Sequence, residues 1–151
     1  MPPTPGPGEV LVRQTAVGMN FHDIYVRSGL YPWPVAADLI LGSEGAGIVE
    51  AVGTGVTGFR EGDRVAYTVT NGGYATHRIV PAAVLLTLPE TVSDAQAAGS
   101  VLKGLTACYL LHDSYPVRAG ETVLFHAAAG GVGLIAGQWL RSKGVTAIGT
   151  A

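Results

Sequence analysis

The chain has 151 residues, 48% of them hydrophobic, and carries a formal net charge of −2 from nine basic and eleven acidic residues spread along its length. This composition excludes a disordered chain, and the lack of a basic stripe removes any electrostatic reason to expect nucleic acid binding. No stretch approaches the roughly 20 apolar residues of a membrane span, and Cys108 is the only cysteine, so we expect a soluble cytoplasmic protein without a disulfide framework.

The chain up to about Pro89 predicts a small antiparallel barrel or sandwich. Val10 to Val17 alternates in the manner of a strand, and a short helix follows from about Asn20 to Ser28, where Gly29 stops it. Three apolar, β-branched segments bounded by glycines predict further strands: GAGIVEAVG (45–53), EGDRVAYTV (61–69) and GYATHRIV (73–80).

The sequence changes to a helical period after this region. Ser93 and Gln96 form a capping box, and the apolar residues from Ala97 to Leu111 suit one helix or a pair of short helices. A strand in GETVLFHAAA, a helix in VGLIAGQWLRSK and a second strand in VTAIGTA then predict one βαβ unit. One apolar stripe follows the helix and consists of Val132, Ile135, Ala136, Trp139 and Leu140.

A glycine-rich turn joins the first of these strands to the helix. Ala128, Gly130 and Gly133 follow the spacing GxGxxG, with alanine at the first position and an additional Gly131 inside. Glycine lets the backbone approach a pyrophosphate, and the helix N-terminus presents N–H groups to the anion. A tight connection that needs small residues only for packing is the alternative. The order of strand, turn, helix and strand favours dinucleotide binding.

Five segments of the chain carry a family resemblance: NFHDIYVRSGLYP (20–32), LGSEGAGIVEAVG (41–53), GDRV (62–65), LKGLTACYLL (102–111) and FHAAAGGVGLIAGQWL (125–140). Together they resemble the medium-chain dehydrogenase/reductase superfamily, and within it the zinc-free, zeta-crystallin-like NADPH:quinone oxidoreductases. The resemblance implies a GroES-like catalytic domain over residues 1–99, of class α+β, and the opening of an α/β Rossmann domain over 100–151. It also implies that a first strand and most of the Rossmann domain are missing, so that both ends look cut.

The resemblance also bears on metal chemistry. Zinc-dependent members have a cysteine, a histidine and a second cysteine where this chain has Asn20, Ser43 and Leu102. Their cysteine-rich structural zinc lobe is replaced here by the short TNGGYATH. We therefore expect no metal site. Four histidines lack cysteine partners at ligand spacing and are expected at the surface or in satisfied core positions: His22, His77, His112 and His126.

The resemblance further implies NADPH as cofactor and, without a metal, a hydride acceptor such as a quinone or another conjugated carbonyl. It places Asn20, Tyr25 and Tyr31 around the nicotinamide and substrate cleft as catalytic residues. The residues that it assigns to the cofactor are Asn20, Lys103, Thr106, Ala128, Gly130, Gly131, Val132 and Gly133.

Each polar residue in these sets also has a purely structural interpretation. Asn20 suits a helix cap, and Tyr25 and Tyr31 suit ordinary amphipathic packing. Lys103 suits a solvated charge, and Thr106 suits a helix residue that bonds back to the preceding turn. Two carboxylates are expected to be structural, hydrogen-bonded groups: Asp23 and Glu44.

Three functions stay open at the level of the sequence. The first is zinc-independent hydride transfer from NADPH to quinones, of which this chain forms part. The second is a non-catalytic GroES-like module with at most weak pyrophosphate affinity, and the third is an enoyl-type reductase that acts on a conjugated thioester. We also expect a homo-oligomer (dimer). At the open sheet edge beyond VTAIGT (145–150) and on the bare face of helix 132–143 we expect association or partial order.

Overall fold

The computed structural model describes residues 2–32 and 39–151. The chain divides into two compact units, of which the first ends at Val101 and the second begins at Leu102. Within the described residues, no helix is both long enough and apolar enough to span a bilayer.

The first unit is built on a five-stranded antiparallel sheet with strand order β4-β1-β2-β3-β5. Its strands are β1 (Glu9–Gly18), β2 (Glu44–Val52), β3 (Arg64–Thr68), β4 (His77–Pro81) and β5 (Leu85–Thr87). The two edge strands, β4 and β5, are joined only by a 3₁₀ turn, Ala82–Val84. So short a connection requires the sheet to curl until its edges approach each other, which is the barrel-like architecture that the sequence predicts.

Two features of this sheet differ from the sequence prediction. The segment 73–80 becomes a strand only at His77, because the N–H groups of Gly72 and Gly73 bond to the carbonyl oxygens of Ile40 and Gly42. Strand β5 was not predicted, since its three residues are too few to show an alternating pattern.

The sheet is buried on both faces, since Ala46 and Ala66 are buried in a cluster with Ala97 and Ala98. The larger core cluster of the first unit lies on the other face and consists of side chains that alternate along the strands. Its buried members are Val10, Val12, Val49, Val65, Tyr67, Val80 and Leu85. Between β1 and β2 the chain forms the helix α1 (Phe21–Arg27), which begins at Asn20 and is followed by Gly29 at φ +77°. This confirms the predicted short helix and its glycine stop.

Helix α2 (Asp94–Tyr109) begins at the predicted capping box, because Gln96 Oε1 accepts the Ser93 N–H at 2.9 Å and Ser93 Oγ accepts the Gln96 N–H at 3.2 Å. It continues as a wider π-helical turn over Leu110–Ser114, so one helix and not a pair occupies this region.

The second unit contains one βαβ element. Strand β6 (Thr122–Phe125), helix α3 (Gly131–Ser142) and strand β7 (Thr146–Gly149) follow in order, and the two strands pair in parallel. The five residues of the predicted stripe on α3 lie in one cluster with Ala107, Leu111 and Val117. Both the βαβ unit and the buried face of its helix are therefore confirmed.

Candidate functional site

The turn between β6 and α3 bends the main chain sharply. Ala127 adopts φ +54°, in the left-handed region that is rare for residues with a Cβ. The Gly130 N–H donates to Ala127 O at 2.9 Å, and the Ala128 N–H donates to Thr150 O at 2.8 Å. Backbone hydrogen bonds on both sides thus hold the turn in a conformation that its own residues do not favour.

The three glycines of this turn differ in what a side chain would meet at each position. A Cβ on Gly133 would lie 2.5 Å from Ala128 Cα, so only glycine lets the first turn of α3 pack on the loop. A Cβ on Gly131 would lie 2.8 Å from Lys103 Cδ, a contact that the flexible lysine stem can relieve. A Cβ on Gly130 would meet only Ala127 O, at 3.1 Å. The turn therefore presents main chain, with almost no side chain, at the start of α3.

The N-terminus of α3 is suited to an anion. The helix has 12 residues, and the first N–H that closes an intrahelical bond is that of Leu134, to Gly130 O at 2.9 Å. The N–H groups of Gly131, Val132 and Gly133 therefore point out of the helix end, where the helix dipole favours negative charge. The stem of Lys103 passes beside Gly131, which brings its charged end to the same region. These features fit a diphosphate.

Two further residues that the resemblance assigns to the cofactor, Val132 and Thr106, have different surroundings. Val132 lies in the first turn of α3 and packs against the core of the second unit. Thr106 lies on α2 and its hydroxyl donates to Leu102 O at 3.0 Å, which is the back-bonding that the structural interpretation describes. Its oxygen keeps acceptor capacity, so this bond does not remove Thr106 from a binding role.

A second polar site lies at the start of α1, in the first unit. The buried carboxylate of Asp23 accepts the Asn20 N–H at 2.9 Å and the Tyr74 hydroxyl at 2.8 Å on one oxygen. Ser43 Oγ lies 3.4 Å from its other oxygen. Burial, followed by the hydrogen bond to Asp23 and its charge, raises the pKa of Tyr74 to about 12. Tyr74 therefore stays a hydrogen-bond donor at neutral pH.

The side chain of Asn20 is directed at a second buried carboxylate. Its amide nitrogen donates to Glu44 Oε2 at 2.9 Å, and Glu44 is fully buried at the start of β2. Gly18 makes room for this carboxylate, because a Cβ there would lie 2.6 Å from Glu44 Oε2 and 2.0 Å from Ala98 O. Asn20 is the residue that precedes α1, as in the cap interpretation, and its amide orientation is set by Glu44.

The aromatic residues near α1 form a row. The Tyr31 ring lies 5.5 Å from that of Tyr25 and 5.7 Å from the imidazole of His22, between centroids. His22 Nδ1 in turn lies 3.1 Å from Ser43 Oγ. The structure thus places Tyr25 and Tyr31 in contact with each other, as amphipathic packing would, with half of Tyr31 still exposed.

An open cavity of about 410 Å³ borders the same helix. Its described lining is largely apolar and includes Met19, Asn20, Phe21, Asp23, Ile24, Arg27, Leu41 and Tyr74. Sequence reasoning missed Tyr74 because its link to Asp23 joins residues far apart in the chain. A few polar groups in an apolar cavity are typical of a small-molecule site.

Neither of the two zinc-ligand positions in the first unit holds a metal-binding side chain. Asn20 bonds to Glu44, and Ser43 lies beside His22. In residues 2–32 and 39–151, no group of three or more His, Cys, Asp or Glu side chains is placed to hold a metal ion.

Comparison with known proteins gives a consistent result. The family model of the alcohol dehydrogenase GroES-like domain matches residues 6–90. The chain is 55% identical over 150 residues to a quinone oxidoreductase of Pseudomonas aeruginosa, covering 99% of this chain and 46% of that protein. It is 45% identical over 153 residues to a 2-haloacrylate reductase of a Burkholderia species, covering 97% of this chain and 46% of the relative.

Solved structures agree with this likeness. The chain matches the crystal structure of Escherichia coli quinone oxidoreductase complexed with NADPH with a TM-score of 0.96 and 47% identity, over 100% of this chain and 46% of that one. The chain therefore spans less than half the length of the relatives that it matches. The likeness covers both the antiparallel unit and the βαβ unit, which identifies them as a GroES-like domain and the start of a Rossmann domain.

Proposed function

The chain belongs to the family of alcohol dehydrogenase GroES-like domains, and on this premise we propose that it serves zinc-independent hydride transfer from NADPH to quinones or other conjugated carbonyls. The single observation that carries the proposal is the side-chain-poor turn before α3, with the N–H groups of that helix and Lys103 beside it. The relatives named above support the same reaction class.

The cofactor-binding residues act through the main chain and one cation. The N–H groups at Gly131, Val132 and Gly133 donate to the diphosphate, and Lys103 adds a positive charge. Because Ala128 has a small side chain and Gly130 has none, the diphosphate can come close to the main chain of the turn. Thr106 accepts or donates one further hydrogen bond from α2. When bound, NADPH supplies the hydride, so the protein contributes orientation and electrostatics.

The catalytic residues act on the acceptor and the nicotinamide. Asn20, whose amide is fixed by Glu44, orients the nicotinamide through its side chain. The hydroxyl groups of Tyr25 and Tyr31 hydrogen-bond the carbonyl oxygen of the acceptor, which stabilises the negative charge that hydride addition places there. No residue of this set requires a metal ion.

The proposal is tested first by binding. We expect the chain to bind NADPH, measured by nucleotide fluorescence, and Gly130→Val and Gly133→Val to abolish this binding because a branched side chain would occupy the turn. Gly137→Val is the matched control, since a Cβ at this position on α3 meets no neighbouring atom within 4 Å. Binding that survives both turn substitutions would overturn the assignment of the glycine turn.

Turnover is tested in a chimaera that joins this chain to the remaining part of the Pseudomonas aeruginosa relative. We expect reduction of 1,4-benzoquinone and 9,10-phenanthrenequinone by NADPH. Asn20→Ala and Tyr31→Phe should lower kcat by more than about tenfold if they contact the reacting groups. A chimaera that binds NADPH but reduces neither quinone would contradict the acceptor class.

A second candidate is reduction of a conjugated acid or thioester. The likeness to the 2-haloacrylate reductase favours it, because that name describes an acceptor with a conjugated double bond. The same chimaera distinguishes the two candidates when its kcat/KM for a quinone is compared with that for an enoyl thioester. If neither NADPH nor NADH binds, this result supports the non-catalytic alternative instead.

A further inference from the structure

An Asn–Gly pair, Asn71–Gly72, lies in the loop before β4 and has no role in the proposed reaction. The main-chain nitrogen of a glycine that follows an asparagine can attack the side-chain amide carbon, because glycine has no Cβ to obstruct the approach. The new C–N bond closes a succinimide ring, and the amide nitrogen leaves as ammonia. Water then opens the ring to an aspartyl or an isoaspartyl residue, so the reaction needs no reactant other than water.

No hydrogen bond to the protein holds the side chain of Asn71 in place. The residue is only 5% exposed, yet neither its amide nitrogen nor its amide oxygen has a partner in residues 2–32 and 39–151. Its main chain lies in the left-handed region, at φ +56°, which residues with a Cβ rarely adopt. An unpaired buried amide and this backbone conformation both raise the free energy of the closed loop, so they favour its local opening.

Hydrogen bonds to the segment before β2 keep the loop closed. Main-chain N–H groups of the loop donate to carbonyl oxygens of residues 40–42: Gly72 to Ile40, Gly73 to Gly42 and Tyr74 to Leu41. The Tyr74 hydroxyl adds a further bond, to Asp23 Oδ2 at 2.8 Å. The Gly72 nitrogen must lose its proton to become a nucleophile, and this proton is donated to Ile40 O at 2.6 Å. The reaction therefore requires the loop to open first.

We infer that Asn71 is a modification site, at which opening of the 71–74 loop permits deamidation and the isoaspartyl product releases Tyr74 from Asp23. In that product the main chain runs through the side-chain carbon of residue 71 and is longer by one methylene. The N–H groups that follow then no longer match the spacing of the carbonyl oxygens of residues 40–42. Tyr74 also lines the cavity beside α1, so the modification alters one wall of that cavity. The inference goes beyond the proposed function and does not depend on it.

The first test follows deamidation by peptide mass spectrometry, in the folded chain and in the chain unfolded by urea, both kept at mildly alkaline pH. We expect Asn71 to react in both, at least about tenfold more slowly in the folded chain, because only its open fraction reacts. Asn20, the other asparagine, precedes a phenylalanine and donates to Glu44, so it should stay unmodified in the folded chain.

Variants of tyrosine test whether the 71–74 loop controls the rate. Tyr74→Phe removes one hydrogen bond of the closed loop, so it should speed the folded reaction by roughly fivefold and leave the unfolded rate unchanged. Tyr115→Phe is the matched control, because Tyr115 is an exposed tyrosine of the second unit. It should change neither rate.

The second test isolates the isoaspartyl form, which an isoaspartyl methyltransferase labels, and titrates its tyrosines by ultraviolet absorbance. The pKa of Tyr74 should fall from about 12 towards the ordinary 10.0, because burial and the hydrogen bond to Asp23 are lost. Asn71→Gly fits the left-handed turn and has no amide to react. This variant should gain no isoaspartate at residue 71 and should keep the raised pKa of Tyr74.

Four results would overturn the inference. Equal rates in the folded and unfolded chains, or a folded rate that Tyr74→Phe leaves unchanged, would show that the loop does not control the reaction. A folded chain that stays unmodified while the unfolded chain reacts would show that Asn71 is not a modification site of the native protein. An isoaspartyl form in which the pKa of Tyr74 remains about 12 would show that Tyr74 is not released.

Discussion

The two units build their polar sites in opposite ways. In the first unit, buried carboxylates collect donors from distant side chains, as Asp23 does from Tyr74 and Glu44 does from Asn20. In the second unit, backbone hydrogen bonds hold the turn before α3. Its glycines lack side chains, so the main chain of the turn can approach a ligand closely. A side-chain network depends on long-range packing, whereas a glycine turn is encoded in a few consecutive residues.

The largest expected effect comes from Gly133→Val. Its side chain would clash with the main chain of Ala128, which cannot move away as a side chain can. We expect the free energy of unfolding of the second unit to fall by more than about 3 kcal/mol, measured by urea denaturation. Gly137→Val should lose far less. Equal losses in the two variants would show that the loop is not tightly packed on α3.

The corresponding test in the first unit is Gly18→Ala. The new Cβ would overlap Ala98 O and press on the carboxylate of Glu44, so we expect a loss of about 2 to 3 kcal/mol in urea denaturation. Gly58→Ala is the matched control, because a Cβ at Gly58 meets no atom within 4 Å. If Gly18→Ala leaves the free energy of unfolding unchanged, the Glu44 carboxylate tolerates displacement. Gly18 and Gly58 would then not differ in their effect on stability.

Titration of Tyr74 sharpens the comparison on the side of the first unit. Its pKa of about 12 lies above the ordinary 10.0, so its contribution to stability is complete below pH 10 and is lost as pH rises through about 12. Asp23→Asn should lower this pKa, yet keep it above 10.0 because burial, the larger cause, remains. Ultraviolet absorbance of tyrosinate, with Tyr74→Phe to assign the signal, measures it. An unchanged pKa in Asp23→Asn would contradict the network.

The smallest expected effect concerns Asp94, at the start of α2. The hydrogen bond from Thr15, followed by that from Arg64, lowers the pKa of its carboxyl. Its contribution to stability is therefore present above its unfolded pKa and is lost as pH falls through the folded one. Thr15→Val should raise this pKa and weaken the pH dependence by less than about 1 kcal/mol. NMR titration of Asp94 checks the direction, and a lowered pKa would contradict it.

The sequence predicts the second unit more completely than the first. The stripe on α3, the strand before it and the glycine turn all follow from neighbours within one turn or one strand. Strand β5 was missed because it pairs with β3, as in Val65 with Thr87, and carries no local pattern. The start of β4 was misplaced because the loop before it bonds to residues near Leu41.

The same distinction applies to the site residues. Asn20 was selected by resemblance, and its partner Glu44 was expected to be structural, but the bond between them is visible only in three dimensions. The contact of His22 with Ser43 spans 21 positions, and that of Tyr74 with Asp23 spans 51. No periodicity or motif spacing reports such contacts, so the sequence provides the residue types and the fold provides the pairs.

The most direct test of the central claim follows the backbone amides while NADPH is added to nitrogen-15 labelled protein. We predict that the largest shifts occur at Gly131, Val132 and Gly133, because their N–H groups meet the diphosphate. The amide of Gly144, which lies past the opposite end of α3, should stay in place. Saturable binding that leaves these three amides unshifted, or no binding at all, would contradict the claim that this turn holds the cofactor.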